Sequence, residues 1–218
     1  FEEIALRHPD RIAFRLKTPQ GYTRTSYREA RAQARATAAG LLALGLRPGD
    51  PVAILSENRP EWVVAYLAAY FAGLIAVPLD TQISPPEWRR LIEDSGSKAV
   101  FASGALRPGL EAAFAGTAAP RVISFDPAPD GAPQSNLAGL TDWAAALESP
   151  PSLPECRPDD VVTIIYTSGT TGTPKGVLLT QSNIVGELEC IFGAVHADEN
   201  DALLCLLPLQ HVLASVIN

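Results

Sequence analysis

The stretch VVTIIYTSGTTGTPKGV, residues 161–177, joins a short apolar run to a polar, glycine-rich one. Residues 161–166 are rich in β-branched side chains, which is typical of a strand buried on both faces of a sheet. The polar run, residues 167–176, holds three glycines, five hydroxyl side chains, one proline, one lysine and no acid. No packed core requires such a segment, so the boundary after Tyr166 predicts a core strand that ends in a loop.

The chemistry of this loop favours a polyanionic ligand. Glycines let backbone N–H groups approach a ligand closely, and runs of amides form anion-binding concavities. Hydroxyl groups donate hydrogen bonds to phosphate oxygens, and the lysine adds a compact positive charge. The alternative is a mobile polar surface turn, but the length of the run and its position after a core strand favour phosphate. The predicted phosphate-binding residues are Thr167, Ser168, Gly169, Thr170, Thr171, Gly172, Thr173, Pro174, Lys175 and Gly176.

Two familiar phosphate-loop patterns do not fit this loop. The P-loop requires Gly-Lys-Ser/Thr after four intervening residues, but Pro174 stands at the second Gly position and Gly176 follows Lys175. The dinucleotide pattern G-x-G-x-x-G also fails, because Gly169 and Gly172 are three residues apart. The chain is therefore predicted to be neither a P-loop NTPase nor a Rossmann dehydrogenase.

The same run closely resembles the signature of the adenylate-forming (AMP-binding) superfamily, which includes acyl-CoA synthetases, peptide-synthetase adenylation domains and luciferases. Its usual form is close to Y-T-S-G-T-T-G-x-P-K-G, and residues 166–176 match every fixed position. A weaker likeness lies in residues 49–62, which resemble the family's GD-V-A…N-xx-E-W pattern. The resemblance covers nearly the whole chain and is strongest to fatty or long-chain acyl-CoA synthetases.

Composition narrows the function classes. The chain has 218 residues, 47% hydrophobic, so it can bury a core, and its formal net charge of −7 argues against nucleic acid as a partner. Its three cysteines are too few and too scattered for a disulfide framework or a zinc site, which favours a reducing cytoplasmic setting. There is no signal-peptide pattern and no Met, and the chain starts at Phe1, so we expect a fragment that lacks its true N-terminus.

The order of predicted elements indicates an α/β fold with a doubly wound, mostly parallel sheet flanked by helices. Capping boxes are predicted at Ser26 with Glu29 and at Ser84 with Glu87, and Asn58 is predicted as the N-cap of a third helix. Strands are predicted near residues 12–16, 22–25, 52–55, 74–77, 98–102, 121–125, 161–166, 177–180 and 202–206. The resemblance places residues 1–218 in an incomplete N-terminal AMP-binding domain, without the C-terminal domain.

Two stretches have a composition that differs from that of the other predicted elements. Residues 62–79 carry no charge and approach the length of a membrane span, but their alanine content, Gly73 and Pro78 favour a helix followed by a strand. We therefore predict no transmembrane segment and leave peripheral membrane contact open. Residues 126–159 are rich in Pro, Ala, Gly and Ser, and they are predicted to be a surface excursion with one helix near residues 141–147.

A second motif, Pro208-Leu209-Gln210-His211, follows the last predicted strand. It resembles a superfamily motif whose His lies by the acyl and adenylate pocket, so the resemblance implies that role for His211. Ligands of open α/β sheets bind at the carboxyl ends of the strands, which agrees with that position. The alternative is a structural His that is hydrogen-bonded to backbone. No metal-ligating residue is predicted within the chain, because the family's Mg²⁺-binding Glu lies further on.

The resemblance implies an ATP-dependent enzyme that converts a carboxylic acid, expected to be a fatty acid, into an acyl-adenylate and then a coenzyme A thioester. ATP, Mg²⁺ and coenzyme A are the implied cofactors, and the small-molecule acid is the implied substrate. Lys175 is expected to support phosphate binding, because the family's main catalytic Lys lies in the C-terminal domain. The alternatives are an adenylation domain that loads a carrier-protein thiol, or a non-catalytic nucleotide-binding remnant. Residues 1–218 alone are predicted to be inactive and to bind ATP weakly.

Overall fold

The computed structural model describes residues 1–127, 132–167, 174–194, 198 and 201–210. The helices in these ranges are α1 (Glu2–Arg7), α2 (Tyr27–Ala43), α3 (Pro60–Phe71), α4 (Pro85–Ser95), α5 (Arg107–Ala113), α6 (Leu137–Ala145) and α7 (Gln181–Ala194), with one 3₁₀ turn at Pro133–Ser135. The strands are β1 (Ile12–Thr18), β2 (Gly21–Ser26), β3 (Pro51–Leu55), β4 (Ile75–Pro78), β5 (Ala99–Ala102), β6 (Arg121–Ser124), β7 (Val161–Thr167) and β8 (Lys175–Thr180).

The main sheet confirms the predicted α/β fold. Its strand order among the described residues is β6-β5-β3-β4-β7-β8, and every neighbouring pair is parallel except β7 with β8. The order reverses direction beside β3, because β4 lies on one side of it and β5 on the other. This topological switch point is the usual ligand-binding crevice of such sheets. Strands β1 and β2 form a separate antiparallel hairpin.

Both faces of the sheet are buried, which explains why its strands are continuous apolar runs rather than alternating ones. Val52 and Ile54 of β3 belong to a core shared with α2, α3 and α6, whereas Ala53 and Leu55 belong to a second core shared with α4 and α5. Successive side chains of a strand point to opposite faces, so one strand serves both layers. The charge-free run of residues 62–79 is divided between α3 and β4, and no helix in the described part of the chain is long and apolar enough to span a membrane.

Two of the three predicted helix caps are confirmed, and the third is wrong. Ser26 with Glu29 and Ser84 with Glu87 form reciprocal capping boxes at the starts of α2 and α4. Helix α3 instead begins after Arg59, without a side-chain cap, and has Pro60 in its first turn. Because proline lacks an N–H group, fewer free donors there need a cap. The Asn58 amide is thereby available for other hydrogen bonds.

The segment predicted to be a surface excursion contributes a helix to the core. Helix α6 begins earlier than predicted, where the Asn136 side chain accepts a hydrogen bond from the Gly139 N–H, and it packs against α2. Leu140 is fully buried, and a Cβ added at Gly40 of α2 would lie 2.8 Å from its Cδ1 atom. Only glycine therefore lets the two helices approach this closely.

Leu140→Ala is expected to lower the free energy of unfolding by about 2–5 kcal/mol, because it removes a buried side chain and leaves a cavity between α2 and α6. Urea denaturation of the two proteins measures this difference. Asp142→Ala, on the exposed side of the same helix, is the control and should change the value by less than about 0.5 kcal/mol. Equal, small effects of the two substitutions would mean that α6 is not part of the core.

The predicted buried strand at residues 202–206 is wrong. Residues 201–206 have no regular structure, and Leu203, Leu204 and Leu206 are 64%, 75% and 78% exposed. An apolar run becomes a strand only where an unpaired strand edge lies alongside it. This segment instead leads to the end of β3, where its backbone is held by the Asn58 side chain.

Candidate active site

The carboxyl ends of the parallel strands form one edge of the main sheet, and polar residues at or shortly after these ends lie along it. In spatial order these are Asp126 after β6, Ser103 after β5, Asn58 after β3, Asp80 after β4 and Thr167 at the end of β7. Because β8 runs antiparallel to β7, its first residue, Lys175, lies at the same edge. Both predicted motifs meet at this edge.

The predicted phosphate loop connects the two strands of a hairpin. Strand β7 is buried as predicted, and the ladder extends to the pair of Thr167 and Lys175, so residues 168–174 form the connection. Thr167 and Lys175 are exposed, and Pro174 is half-buried. The remaining predicted loop residues, Ser168, Gly169, Thr170, Thr171, Gly172 and Thr173, lie outside the described residues.

Gly176 has a packing role that the sequence reasoning missed. It pairs with Tyr166 across the hairpin, and a Cβ added to it would lie 3.0 Å from Ile164 Cγ2 and 3.4 Å from the Tyr166 ring. A larger residue would push the two strands apart next to the loop. The sequence-based prediction places Gly176 in the loop, because the predicted strand begins only at residue 177, whereas β8 begins at Lys175.

Lys175 is the positive charge at the mouth of the hairpin. It is exposed, and within the described ranges no carboxylate lies within ion-pair distance of its ammonium group. Such an unneutralised cation beside a glycine-rich loop fits a polyphosphate ligand. The fit supports the predicted role in phosphate binding, which stays a prediction.

Tyr166 anchors the hairpin to the neighbouring helix layer. Its hydroxyl donates a hydrogen bond of 2.5 Å to the Asp94 carboxylate at the end of α4. Burial, and then the Asp94 carboxylate, raise the pKa of Tyr166 well above its usual value. The phenol therefore stays protonated and donates to Asp94, which ties the end of β7 to α4.

The second motif is held at the same edge by the residues that follow β3 and β4. Asn58 Nδ2 donates to the Leu207 carbonyl at 2.8 Å, and Asn58 Oδ1 accepts from the Leu209 N–H at 2.9 Å. Gln210 Nε2 donates to Asp80 Oδ1 at 3.4 Å. Leu209 and Gln210 are only 4% and 8% exposed. His211 itself lies outside the described residues, so its proposed role in the acyl pocket is untested.

These contacts place the segment before His211 over the topological switch point. Asn58 follows β3 and Asp80 follows β4, and the strand order reverses between these two strands and β5. The β7–β8 hairpin lies directly beside β4. The crevice where open α/β sheets bind ligands is therefore bounded by the described residues of both predicted motifs, 167 and 174–176 of the first and 208–210 of the second.

A second polar cluster lies at the β6 end of this sheet edge. The Arg59 guanidinium binds both Asp126 carboxylate oxygens at 3.1 Å and donates to Glu61 at 2.9 Å. It also lies 5.6 Å from the centroid of the Phe125 ring. Hydrogen bonds from Arg59 are the main reason that the pKa of Asp126 is lowered, with a further contribution from the Gly104 N–H. All of the Arg59 donors in these contacts serve carboxylates, so the cluster joins β6 to α3.

Asp126→Asn is expected to reduce the loss of stability that acid causes. The lowered pKa means that the folded protein keeps Asp126 ionised where the unfolded chain protonates it. Its contribution is therefore present above the ordinary Asp pKa of about 3.9 and is lost as the pH falls through the lower folded value. Urea unfolding between about pH 5 and pH 2 should show a shallower decline in the variant than in the native protein. Parallel declines would contradict this assignment.

Asn58, Asp80, Arg59 and Asp126 were not among the predicted site residues. Each of them lies within a few residues after the end of a parallel strand, and this shared position is the signal that could have identified them. The described residues contain no group of three His, Cys, Asp or Glu side chains that could hold a metal ion. The Mg²⁺-binding Glu that the resemblance implies is expected beyond residue 218, and that expectation stays a prediction.

Comparison with known proteins now decides the family. The family model described as AMP-binding enzyme matches residues 1–218. The chain belongs to the AMP-binding enzyme family. It is 34% identical to the long-chain-fatty-acid–CoA ligase FadD15 of Mycobacterium bovis over 96% of this chain and 36% of the ligase. It is 32% identical to the 4-coumarate–CoA ligase CCL1 of Humulus lupulus over 86% of this chain and 34% of that ligase.

The fold of this member of the AMP-binding enzyme family also matches a solved relative. The o-succinylbenzoate coenzyme A synthetase MenE of Bacillus subtilis, in complex with ATP and magnesium ion, aligns with a TM-score of 0.76 and 26% identity. The alignment covers 99% of this chain and 52% of MenE. The chain thus spans about a third to a half of the lengths of these relatives. The family and the fold are established, whereas relatives with different acid substrates are about equally similar.

Proposed function

We propose that the protein activates a carboxylic acid with ATP to give an acyl-adenylate and pyrophosphate, and then transfers the acyl group to coenzyme A. The observation that carries the proposal is the meeting of two motifs at one edge of the sheet. The β7–β8 hairpin brings Lys175 there, and Asn58 holds the segment before His211 over the switch point. One motif serves the nucleotide and the other the acid.

The first step requires a carboxylate to attack the α-phosphate of ATP, with loss of pyrophosphate. Both reactants are negative, so the site must supply positive charge and oriented donors. Thr167 and Lys175 supply a hydroxyl and an ammonium group toward the β- and γ-phosphates. Mg²⁺, when bound, would neutralise further charge on the triphosphate. The second step breaks the acyl–phosphate bond, releases AMP and forms the thioester with the coenzyme A thiol.

For the acid we propose a fatty acid, supported by the similarity to the long-chain-fatty-acid–CoA ligase over nearly the whole chain. Residues 1–218 would then be the N-terminal part of an AMP-binding domain, and the catalytic lysine expected from the family would lie outside them. All three cysteines are free, which supports a reducing cytoplasmic setting.

Acid-dependent exchange between ATP and labelled pyrophosphate tests the proposal. The intact protein should catalyse exchange with one class among acetate, palmitate, coumarate and benzoate, with palmitate expected to be the most active. Thioester formation with coenzyme A, compared with a carrier-protein thiol, then identifies the acceptor. Residues 1–218 alone should show no exchange. A folded intact protein that binds ATP but exchanges with no acid would be a binding module and not a ligase.

A further inference from the structure

The β1–β2 hairpin carries a concentration of positive charge that the proposed reaction does not use. Residues 11–26 include Arg11, Arg15, Lys17 and Arg24 and no Asp or Glu, in a chain whose formal net charge is −7. The hairpin forms its own two-stranded sheet, separate from the main one. Its charge is therefore opposite in sign to that of the protein as a whole.

Three of these cations lie on one face of the hairpin. Arg15 pairs directly with Arg24 across the ladder, and Lys17 pairs with Tyr22, so their side chains share a face. Like charges directly opposite each other destabilise an antiparallel pair. Folding alone therefore gives no reason for this arrangement.

None of the three cations on this face is neutralised within the described residues. Arg15, Lys17 and Arg24 are exposed and have no ion-pair partner there. The nearby helix arginines differ, because Arg28 pairs with Asp10 at 2.9 Å and Arg31 pairs with Glu2 at 2.6 Å. The hairpin thus presents free positive charge beside a surface where charges are paired.

The same hairpin also exposes apolar side chains near its turn. Tyr22, which lies opposite Lys17 on the face of the cations, is 63% exposed, whereas Leu16 is 39% exposed on the other face. The turn between the strands, Pro19-Gln20, carries no charge. Tyrosine is favoured at membrane interfaces, where its ring enters the headgroup layer and its hydroxyl stays in water. Arg and Lys beside it can extend to anionic headgroups.

We propose that the β1–β2 hairpin docks the protein on an anionic lipid membrane, with its turn in the headgroup layer and Arg15, Lys17 and Arg24 bound to lipid phosphates and carboxylates. The combination of three unpaired cations with an exposed tyrosine ring on one face fits a lipid surface better than a purely polar polyanion such as nucleic acid. The proposal stands on charge and exposure and does not depend on the enzymatic reaction.

Sedimentation of the intact protein with lipid vesicles tests the proposal. Binding to mixed phosphatidylcholine–phosphatidylserine vesicles should exceed binding to pure phosphatidylcholine vesicles and should weaken as salt is added. The triple variant Arg15→Gln, Lys17→Gln and Arg24→Gln should bind the mixed vesicles on the order of 100-fold more weakly, at about fivefold per cation. Its thermal unfolding temperature should not fall, because the facing like charges are removed.

A matched control separates this surface from overall charge. The triple variant Arg47→Gln, Lys98→Gln and Arg121→Gln makes the same change in net charge at exposed cations that are not part of the hairpin. It should keep nearly native vesicle binding, and equal losses in the two triple variants would overturn the proposal. Tyr22→Ser should weaken vesicle binding about fivefold, because a ring that enters the headgroup layer is lost. Retention on heparin, a polar polyanion without an apolar layer, should stay unchanged. The proposal would also be overturned if the native protein were retained on heparin but bound anionic vesicles no better than neutral ones.

Discussion

Lys175→Gln is expected to lower kcat/KM for ATP in the exchange reaction of the intact protein by about 10- to 100-fold, since a charge-assisted contact to phosphate is lost. Lys175 begins β8, opposite Thr167, at the mouth of the predicted phosphate loop. It is exposed and has no carboxylate partner in the part of the chain that the structure describes. Its charge is therefore free for a ligand, and removing it should cost little stability. Initial rates at varied ATP concentration measure the effect.

Two matched variants make this experiment specific. Lys175→Arg keeps the charge and should recover most of the lost activity, whereas Lys98→Gln removes another exposed lysine, at the opposite ends of the strands, and should leave kcat/KM unchanged. If Lys175→Gln and Lys98→Gln behave alike, Lys175 does not bind phosphate. A fall in kcat/KM for the acid without any change for ATP would also assign Lys175 to another role.

The elements that could be predicted from sequence are those whose signals are local. Ser26 and Ser84 each precede a glutamate by three residues, and the two capping boxes form because both hydrogen bonds lie within one helical turn. The apolar run before Tyr166 predicts a doubly buried strand because helices cover both faces of the sheet. The glycine-rich loop stays a predicted phosphate site, because residues 168–173 lie outside the described residues.

The errors in the prediction come from contacts between residues distant in sequence. Asn58 has the composition of an N-cap, but its amide binds the backbone of residues 207 and 209, which no local pattern reveals. The leucines of residues 202–206 predict a strand, yet strand formation requires a free edge that the segment does not reach. Helix α6 lies in a Pro- and Gly-rich segment, and its burial depends on the close approach that Gly40 of α2 permits.

Asn58→Ala is expected to lower kcat/KM for the acid by about 100-fold, because a displacement of about 1 Å in a substrate-positioning segment has an effect of that size. The substitution removes the acceptor of the Leu209 N–H and the donor to the Leu207 carbonyl, which lie 2.9 Å and 2.8 Å away. Leu209 is 4% exposed, so its N–H would be left buried without a partner unless the segment moves. The segment that precedes His211 would then leave its position over the switch point.

Asn136→Ala is the matched control for this variant. It removes the same side-chain amide and one backbone hydrogen bond at the start of α6, beside the end of β6 and two strands away from β3. Both variants should lose about 1 kcal/mol of stability, but only Asn58→Ala should lose activity. The loss should fall on the acid more than on ATP, because residues 207–210 bound the crevice on the side of His211 and the hairpin bounds it on the other. Equal losses for both substrates, or equal activities of the two variants, would make Asn58 a structural residue only.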